Sequence, residues 1–469
     1  MSYETAVAQM YALGHELAQT PAHKFDLSHT RVLLAALGHP ENRFPTVLIA
    51  GTNGKGSTAA TLASILQASG LKTGLYTSPH LVSINERIRL HGAPIADDDF
   101  AMLHDVVDRT AERLVGEGDL PWHPSFFEML TAMAFEYFAR NRPDMVVLEV
   151  GMGGRLDATN VVAPRLSIIT DIALDHQKYL GETVAEIARE KAGIIRPGGV
   201  VVTLPQLPEA NNVIGNAILD AGARAVNAVL YVPPVSPGSD SCLSSDGRGG
   251  GIRNRYPLDV MGKRIRVESP LVGRHQLRNL ALAVAAAEEL HNQDIENRGF
   301  AQITPETIAQ GIRETHWPGR FQVVPAAGDN PLYVLDVAHN PAGAWALRST
   351  LSAIRQSLGN DALESTREIT LVFGVMRDKA VQEITEILFP IAAHVIATHA
   401  NNPRSAGPDE IRQAAARVIS GADIDIEDAE NVESALDRAR KVAGSGGLIV
   451  VTGSIYIVGE AMRKLGIRI

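Results

Sequence analysis

Short runs of apolar residues alternate with amphipathic stretches along most of the chain. In the first half, four continuous apolar or β-branched runs are typical of strands that are buried on both faces of a parallel sheet. These runs are residues 47–50, 145–150, 166–170 and 200–204. Between them, apolar residues recur at helical spacing in residues 126–138 and 184–192. This β-α-β-α order predicts an α/β fold whose first domain has a P-loop-type, mostly parallel sheet.

A second α/β series begins near Phe321, with helical patterns between its apolar runs. The predicted strands of this series are residues 332–337, 369–373, 395–398 and 448–452. Pro318 and Gly319 would end the preceding helix, so we predict domains at residues 1–317 and 318–469. The second domain is predicted to be a smaller, Rossmann-like α/β domain. Residues 236–254 are rich in Ser, Gly and Asp, which predicts a flexible surface loop on the first domain.

Composition narrows the classes of partner. The formal net charge of -10 argues against nucleic acid, because a phosphate backbone binds to basic surfaces. Cys242 is the only cysteine, so no intramolecular disulfide can form and a reducing compartment fits. The first ten residues do not resemble a secretion signal, and no stretch approaches the ~20 apolar residues of a membrane span. We therefore expect a cytoplasmic protein without a membrane partner, and a monomer because no repeat or coiled coil is present.

A glycine-rich segment, G-T-N-G-K-G-S at residues 51–57, lies between a predicted strand and a predicted helix. Its glycines let the backbone approach an anion, and the following helix N-terminus would direct N–H groups at nucleotide phosphates. Lys55 could neutralise the β- and γ-phosphates, and the Ser57 hydroxyl could ligate Mg²⁺. The usual spacing G-x-x-x-x-G-K-[ST] is not met, since Ile49 occupies the first position and Gly56 separates Lys55 from Ser57. The alternative is a turn that binds nothing.

Three further polar residues follow or lie near predicted strands. Glu149 ends a hydrophobic strand, where a carboxylate of an α/β sheet faces the ligand crevice and suits a hard cation such as Mg²⁺. A buried carboxylate with a structural role is the alternative. His176 is placed either to be a ligand or to be structural. Lys191, on the helical segment 182–195, is either an exposed residue with its stem along apolar neighbours or an amine whose pKa is lowered by an apolar surround.

The second half repeats this placement of polar residues at strand ends. Residues 335–341 read L-D-V-A-H-N-P and contain Asp336 and His339. Residues 317–321 read W-P-G-R-F, and residues 451–454 read V-T-G-S. Each motif is weak alone, but together they indicate a sheet edge that presents ligands.

In their order along the chain, these motifs resemble those of folylpolyglutamate synthase/dihydrofolate synthase, a family of the Mur ligase superfamily. The resemblance runs from the glycine-rich segment nearly to the C-terminus. Besides GTNGKGS it includes SPHL, FFEMLTAMAF, LEVGMGGRLDATN, LDHQKYLG, REKAGII, GRHQLRNLALA, WPGRF, LDVAHNPAG, VFGVMRDK and VTGS. The loop spacing that departs from the P-loop pattern is the pattern of this superfamily.

The resemblance implies a role for each matching position. ATP would be bound by Gly51, Thr52, Asn53, Gly54, Lys55, Gly56, Ser57, Thr58, Asn279, Arg320 and Asp336. Two Mg²⁺ sites are implied, one at Ser57 and one among Ser78, Glu149 and His176. Lys191 would be carbamylated by CO₂, and the catalytic residues would be Lys55, Lys191, His339 and Ser454. The pterin would be bound by Leu27, Arg31, Phe126, Phe127, Glu128, Arg155 and Asp157.

The implied reaction is an ATP-dependent ligation. A carboxylate of dihydropteroate or of a folate would attack the γ-phosphate of ATP, and the amine of L-glutamate would then attack the resulting acyl phosphate. We predict a bifunctional enzyme that uses both acceptors. The alternatives are a folylpolyglutamate synthase only, another Mur-type ligase that acts on a cell-wall precursor, and a nucleotide-binding regulatory module. The FFEMLTAMAF and LDHQKYLG segments favour the folate branch, and the intact set of metal and lysine positions argues against a module without catalysis.

Overall fold

The computed structural model describes residues 1–14, 26–234, 243–246, 250–293, 300–325, 331–357, 368–421, 424–467 and 469. The chain divides into two compact units. The first unit comprises Met1–Val232, Asp259–Ile265 and Arg278–Ile312, and the second comprises Pro233–Leu258, Arg266–Leu277 and Arg313–Ile469. The proposed boundary between residues 317 and 318 stays a prediction.

The α-helices are α1 Tyr3–Ala12, α2 Leu27–Ala36, α3 Lys55–Ala68, α4 Asp97–Glu117, α5 Phe126–Asn141, α6 Gln177–Leu180, α7 Val184–Ala192, α8 Pro208–Asp220, α9 Arg274–Gln293, α10 Pro305–Glu314, α11 Pro341–Ser357, α12 Val381–Leu388, α13 Pro408–Ala414, α14 Ala416–Gly421, α15 Val432–Ala443 and α16 Ile455–Lys464. None of these helices, within the part of the chain that the structure describes, has both the length and the apolar character that crossing a membrane requires.

The strands are β1 Thr46–Ala50, β2 Thr73–Tyr76, β3 Ile88–Leu90, β4 Ala93–Pro94, β5 Met145–Glu149, β6 Leu166–Ile169, β7 Val200–Thr203, β8 Arg224–Asn227, β9 Leu243–Asp246, β10 Gly250–Val260, β11 Lys263–Ser269, β12 Gln322–Val324, β13 Leu332–Leu335, β14 Ile369–Phe373, β15 His394–Ala397, β16 Asp425–Asp428 and β17 Leu448–Thr452.

The large sheet has the strand order β4-β3-β2-β5-β1-β6-β7-β8. Its strands from β2 to β8 in this order are parallel, and at one edge β3 pairs antiparallel with β2 and β4 pairs antiparallel with β3. All five residues of β1 are buried, as the continuous apolar run predicts. Ile49 pairs with Glu149 of β5, and Ala50 pairs with Ile169 of β6. β1 therefore lies between β5 and β6, and the loop that follows β1 lies at a topological switch point, where open α/β sheets bind their ligands.

The sheet of the second unit has the order β12-β13-β17-β14-β15-β16 and is parallel except for β12. β17, the last strand in the chain, lies between β13 and β14. Leu335 pairs with Val451, and Phe373 pairs with Thr452, so the carboxyl ends of these three strands lie side by side. The predicted α/β class, with one mostly parallel sheet and a second smaller α/β sheet, is confirmed.

Each sheet is packed on a largely aliphatic core. Leu48, Leu148 and Ile169 belong to the buried cluster of the first unit. In the second unit, Val334 and Val450 lie in a cluster that also contains Phe373, whose ring packs edge-on against Phe389 at 5.4 Å between centroids. The few aromatic residues of the chain thus add to cores that aliphatic strands build.

The predicted flexible loop at residues 236–254 is wrong where the structure describes it. Residues 243–246 form β9, and residues 250–254 belong to β10, which pairs antiparallel with β9 and lies between β9 and β11. The remaining residues, 236–242 and 247–249, lie outside the described part. Composition does not predict these strands, because a β-ladder joins backbone groups. A strand poor in apolar side chains is therefore stabilised by its neighbour.

Candidate active site

The glycine-rich loop joins the buried strand β1 to helix α3. A Cβ atom on Gly51 would lie 1.8 Å from Thr170 Oγ1, and one on Gly54 would lie 2.1 Å from Asn279 Oδ1. Gly54 also has a φ of 89°, in the left-handed region that favours glycine. Only glycine therefore fits at these two positions without a shift of the neighbouring side chains.

The loop is held by hydrogen bonds to the segment that follows β6. The backbone N–H groups of Thr52 and Asn53 donate to the Asp171 carbonyl at 2.9 and 3.1 Å. The Thr52 hydroxyl donates to the Ala173 carbonyl at 3.0 Å and accepts from the Ala173 N–H at 3.1 Å. Gly54 precedes α3 and provides no side-chain cap, so the first N–H groups of this helix present a positive helix end. This arrangement suits a phosphate group.

Two lysine side chains converge on one carbonyl of this loop. Lys55 Nζ donates to the Gly51 carbonyl at 3.1 Å and to the Thr52 carbonyl at 3.3 Å. Lys191 Nζ donates to the same Gly51 carbonyl at 2.7 Å. Lys55 provides a positive charge beside the glycine-rich loop, and Lys191 lies close enough to respond to that charge.

Lys191 lies on α7, and its side chain is buried, with only 4% exposure. Burial, and after it the charge of Lys55, lowers the pKa of Lys191 from 10.5 to about 7, while Asp175 and Asp157 oppose the change. The alternative of an exposed surface lysine is therefore excluded. A large fraction of the amine is neutral near pH 7, which is the form that reacts as a nucleophile.

Glu149 lies at the carboxyl end of β5, next to the phosphate loop, and is buried. Its Oε2 accepts a hydrogen bond from the Ser78 backbone N–H at 3.3 Å, so these two predicted metal ligands are neighbours. His176 has left-handed backbone geometry before α6, and its N–H donates to Asp175 Oδ1 at 2.8 Å.

The donor chemistry at these positions fits Mg²⁺. Among the residues that the structure describes, no three His, Cys, Asp or Glu side chains form a metal-binding group by themselves. The predicted sites, one at Ser57 and one among Ser78, Glu149 and His176, would instead offer hydroxyl oxygens and one carboxylate besides the His176 imidazole. Mg²⁺ is commonly bound in this way, by few protein oxygens with water and substrate phosphates completing its shell.

The predicted pterin-binding residues fall on three elements that pack together. Helix α2 packs against α5 and against the 3-10 helix Ala158–Val161, which also packs against α5. Leu27 and Arg31 lie on α2, and Arg31 is exposed. Arg155, half-exposed in the loop before the 3-10 helix, pairs with Glu190 at 2.9 Å. The structure thus brings these distant segments to one side of the first unit.

Asp157 caps the 3-10 helix. Its Oδ1 accepts from the Thr159 N–H at 3.0 Å, and its Oδ2 accepts from the Met152 N–H at 3.0 Å. Burial raises the pKa of Asp157, and the hydrogen bonds from the Thr159 hydroxyl and from the Met152 and Thr159 N–H groups oppose that change. Asp157 thus shapes the loop of residues 151–157, whatever it contacts in a complex.

Glu128 has a similar capping role at the start of α5. Its Oε2 accepts from the Ser125 N–H at 2.8 Å, and the Ser125 hydroxyl oxygen accepts from the Glu128 N–H at 3.4 Å, which forms a capping box. Its Oε1 accepts from the Thr30 hydroxyl at 3.4 Å, which ties α5 to α2. The ring of Phe127 lies 6.1 Å from that of Tyr76.

A network around Phe126 was not assigned from the sequence. The Phe126 ring stacks on Tyr11 at 5.9 Å, and the Arg87 guanidinium lies 5.3 Å from its centroid. Arg87 Nε donates to His80 Nδ1 at 2.8 Å, and His80 Nε2 lies 3.2 Å from the Tyr11 hydroxyl. Because Arg can only donate, His80 accepts at Nδ1 and carries its proton on Nε2. The SPHL motif contains His80, but its partner Tyr11 is 69 residues distant.

The second unit places its predicted residues at the carboxyl edge of its sheet. Asp336 accepts from the Phe321 N–H at 2.7 Å and from the Ala338 N–H at 2.9 Å. It thereby joins the W-P-G-R-F turn, with Arg320, to the end of β13. Burial raises the pKa of Asp336, and the charge of Arg320 opposes this change most strongly.

His339 and Ser454 lie in the segments that follow β13 and β17. His339 Nδ1 lies 2.9 Å from the Val337 carbonyl, which can only accept, so the proton is on Nδ1. Ser454 is buried and caps α16 by accepting from the Tyr456 N–H at 3.2 Å. Because β13 and β17 are adjacent, both residues belong to one edge of the second sheet.

Comparisons with known proteins agree with this architecture. The model of the Mur ligase middle domain matches residues 125–287, and that of the Mur ligase glutamate ligase domain matches residues 319–455. A dihydrofolate synthase/folylpolyglutamate synthase of Bacillus subtilis (strain 168) is 33% identical, over 94% of each chain. A folylpolyglutamate synthase of Lacticaseibacillus casei is 36% identical over 81% of each chain.

Solved structures extend the likeness to the whole fold. The crystal structure of Mycobacterium tuberculosis folylpolyglutamate synthase complexed with ADP and AMPPCP has a TM-score of 0.81 and 32% sequence identity. It covers 98% of this chain, and this chain covers 99% of it. The chain belongs to the dihydrofolate synthase/folylpolyglutamate synthase family of Mur ligases.

Proposed function

We propose that this chain uses ATP to join L-glutamate to dihydropteroate and to folate polyglutamates. The observation that carries the proposal is the convergence of Lys55 and Lys191 on the Gly51 carbonyl, with Glu149 at the neighbouring strand end. In this centre Lys55 provides positive charge for phosphates, Lys191 provides the amine for carbamylation, and Glu149 provides a carboxylate for a cation on the same sheet edge. Family membership makes a glutamate ligation the reaction that such a centre would serve.

In the first step, a carboxylate oxygen of the acceptor attacks the γ-phosphorus of ATP, and ADP leaves. The product is an acyl phosphate. Lys55 and the N-terminus of α3 would offset the negative charge that spreads over the phosphoryl oxygens. Removal of one such preorganised donor typically lowers kcat by roughly 10²–10³.

Mg²⁺ would be held at two places, one at Ser57 and one at Ser78, Glu149 and His176. Bound there, it would neutralise phosphate charge and orient the transferring group. The hydrogen bond between the Ser78 N–H and Glu149 would keep the carboxylate directed at its site. These ligand assignments are part of the proposal.

Lys191 is proposed to be carbamylated. The neutral amine adds to CO₂ and releases one proton, which gives an anionic carbamate. The lowered pKa of Lys191, caused by burial and by the charge of Lys55, favours the neutral amine that this addition needs. The anion would lie beside Lys55 and could pair with a cation in the site.

In the second step, the amine of L-glutamate attacks the acyl carbonyl and passes through a tetrahedral intermediate. Phosphate leaves, and the attacking nitrogen loses a proton. His339 and Ser454 are proposed to act in this step. Because His339 holds its proton on Nδ1, its neutral ring has Nε2 as the acceptor nitrogen.

The use of both acceptors is the finer part of the proposal. It is supported by the Bacillus subtilis relative, whose name carries both activities. The pterin ring is proposed to bind on the side formed by α2, α5 and residues 155–157. The second candidate is a folylpolyglutamate synthase without dihydrofolate synthase activity. It is favoured by the Lacticaseibacillus casei relative, whose name gives that one activity.

Phosphate release would test both candidates. The purified chain is incubated with Mg·ATP, L-glutamate and either dihydropteroate or tetrahydrofolate, and reactions without glutamate serve as controls. Release with both acceptors is expected. Release with one acceptor would exclude bifunctionality, and release with neither would refute the folate assignment.

The proposal also includes the setting of the reaction. We place the enzyme in the cytoplasm, where ATP is available, and expect it to act as a monomer on small-molecule substrates. Size-exclusion chromatography with light scattering measures the state in solution. A stable dimer at the concentration of the activity assay would contradict the monomer.

A further inference from the structure

An ion pair outside the proposed set of site residues joins α9 to the segment after β6. Arg278 Nε donates to both carboxylate oxygens of Asp171, at 3.0 and 2.9 Å, and Nη2 donates to Oδ1 at 2.6 Å. Arg278 Nη2 also donates to the Pro205 carbonyl after β7, at 2.9 Å. The guanidinium is thus held in a fork geometry that fixes its orientation.

Asp171 also holds the glycine-rich loop of residues 51–57, which is the loop proposed to bind phosphates. Its backbone carbonyl accepts the N–H groups of Thr52 and Asn53, while its side chain accepts from Arg278. Movement of Asp171 would therefore move the backbone of the loop. The residue connects the loop with α9 through two different groups.

Arg278 is linked to the same loop through its neighbour Asn279. Asn279, the neighbour of Arg278, packs on Gly54, where a Cβ atom would lie 2.1 Å from its Oδ1. The Asn279 carbonyl also accepts from the Thr58 hydroxyl on α3, at 3.5 Å. The Asp171–Arg278 pair is consequently one side of a closed path that runs through the loop, α3 and α9.

We propose that the Asp171–Arg278 pair positions the phosphate loop and Asn279 for nucleotide binding. Both are positioning residues, since they act through the loop backbone and through Asn279. The inference rests on the nucleotide role proposed for residues 51–58. The ion pair would hold the loop in its binding geometry before the nucleotide arrives, so that less ordering of the chain is needed on binding.

The geometry of the pair predicts which variants matter. The side chains are 33% and 32% exposed, so solvent screens their simple charge attraction. The bidentate fork is then the important feature. Arg278→Lys keeps the charge but loses the fork, and we expect it to behave like Arg278→Gln.

Titration calorimetry with Mg·ADP tests the inference. We expect Arg278→Gln and Asp171→Asn each to weaken binding by about tenfold, the usual scale for losing a charge-assisted hydrogen-bonded pair. The double variant should bind no more weakly than the single ones, since both remove the same interaction. In steady state, KM for ATP should rise, and KM for glutamate should not change.

Arg224→Gln is the matched control, because Arg224 pairs with Glu289 further along α9, away from the loop. It should leave the affinity for Mg·ADP unchanged. Binding by the Asp171 and Arg278 variants within twofold of wild type would overturn the inference while leaving the proposed function intact. A wild-type chain that does not bind Mg·ADP would overturn the nucleotide role itself. If Asp171→Asn or Arg278→Gln unfolds, Arg278→Lys, which keeps the charge but loses the fork, provides the second test: binding of Mg·ADP about tenfold weaker supports the inference, and binding within twofold of wild type overturns it.

Discussion

Replacement of Lys191 by methionine should change how stability depends on pH. Methionine has a similar length and no charge, so the variant removes the titrating amine from its buried place. The folded-state pKa of Lys191 is lowered from 10.5 to about 7. Between these values the unfolded chain binds more protons than the folded chain, so the free energy of unfolding rises with pH in that window.

The size of the effect follows from the two pKa values. Each tenfold change in a proton-dissociation constant corresponds to about 1.4 kcal/mol, so the difference between 10.5 and about 7 corresponds to about 5 kcal/mol in full. From pH 7 to pH 9 the free energy of unfolding of the wild-type chain should therefore rise by about 2 kcal/mol. Because Lys191 is almost fully buried, solvent screening reduces the effect little.

Urea unfolding at pH 7 and pH 9, in buffer free of CO₂, measures the difference between the two chains. Lys191→Met should become less stable relative to wild type by about 2 kcal/mol as the pH rises over this range. Lys441→Met, which changes an exposed lysine of α15, is the control and should follow wild type. An equal rise in the wild type and in Lys191→Met would refute the idea that burial lowers the pKa of this amine.

Three further predictions concern activity and nucleotide binding. Lys191→Ala should lose most ligase activity and recover part of it with a short carboxylic acid that replaces the carbamate; unchanged activity in the variant would refute the carbamate. Gly54→Ala should abolish measurable Mg·ADP binding, because the φ of residue 54 is positive and the added Cβ would meet Asn279. Gly70→Ala is the control: it is also at positive φ but in open space, so it should cost only roughly 1–2 kcal/mol of stability and keep the affinity. Equal affinities of the two variants for Mg·ADP would contradict the steric argument. Glu149→Gln should lower kcat by about 10² and raise the Mg²⁺ concentration needed for half-maximal activity, and an unchanged Mg²⁺ requirement would contradict its role as a ligand.

The central strands of both sheets could be predicted because they carry a specific pattern. Continuous apolar runs at residues 145–150 and 369–373 require burial on both faces, and the structure has β5 and β14 there. The edge strands lack such a pattern. β8 is largely exposed, and β16 reads D-I-E-D, so neither differs from a loop by its side chains. Such strands form because a neighbouring backbone pairs with them, which single-sequence patterns do not report.

The sequence by itself determined the chemical groups and their positions at strand ends, from the glycine-rich loop to Asp336 and His339. Only the tertiary structure decided which of these groups meet. Lys191 reaches the Gly51 carbonyl across 140 residues, and Arg278 reaches Asp171 across 107 residues. These contacts depend on how α7 and α9 pack on the sheet. The lowered pKa of Lys191 likewise arises from its surroundings in space, because burial and the nearby charge of Lys55 exist only once the chain has folded.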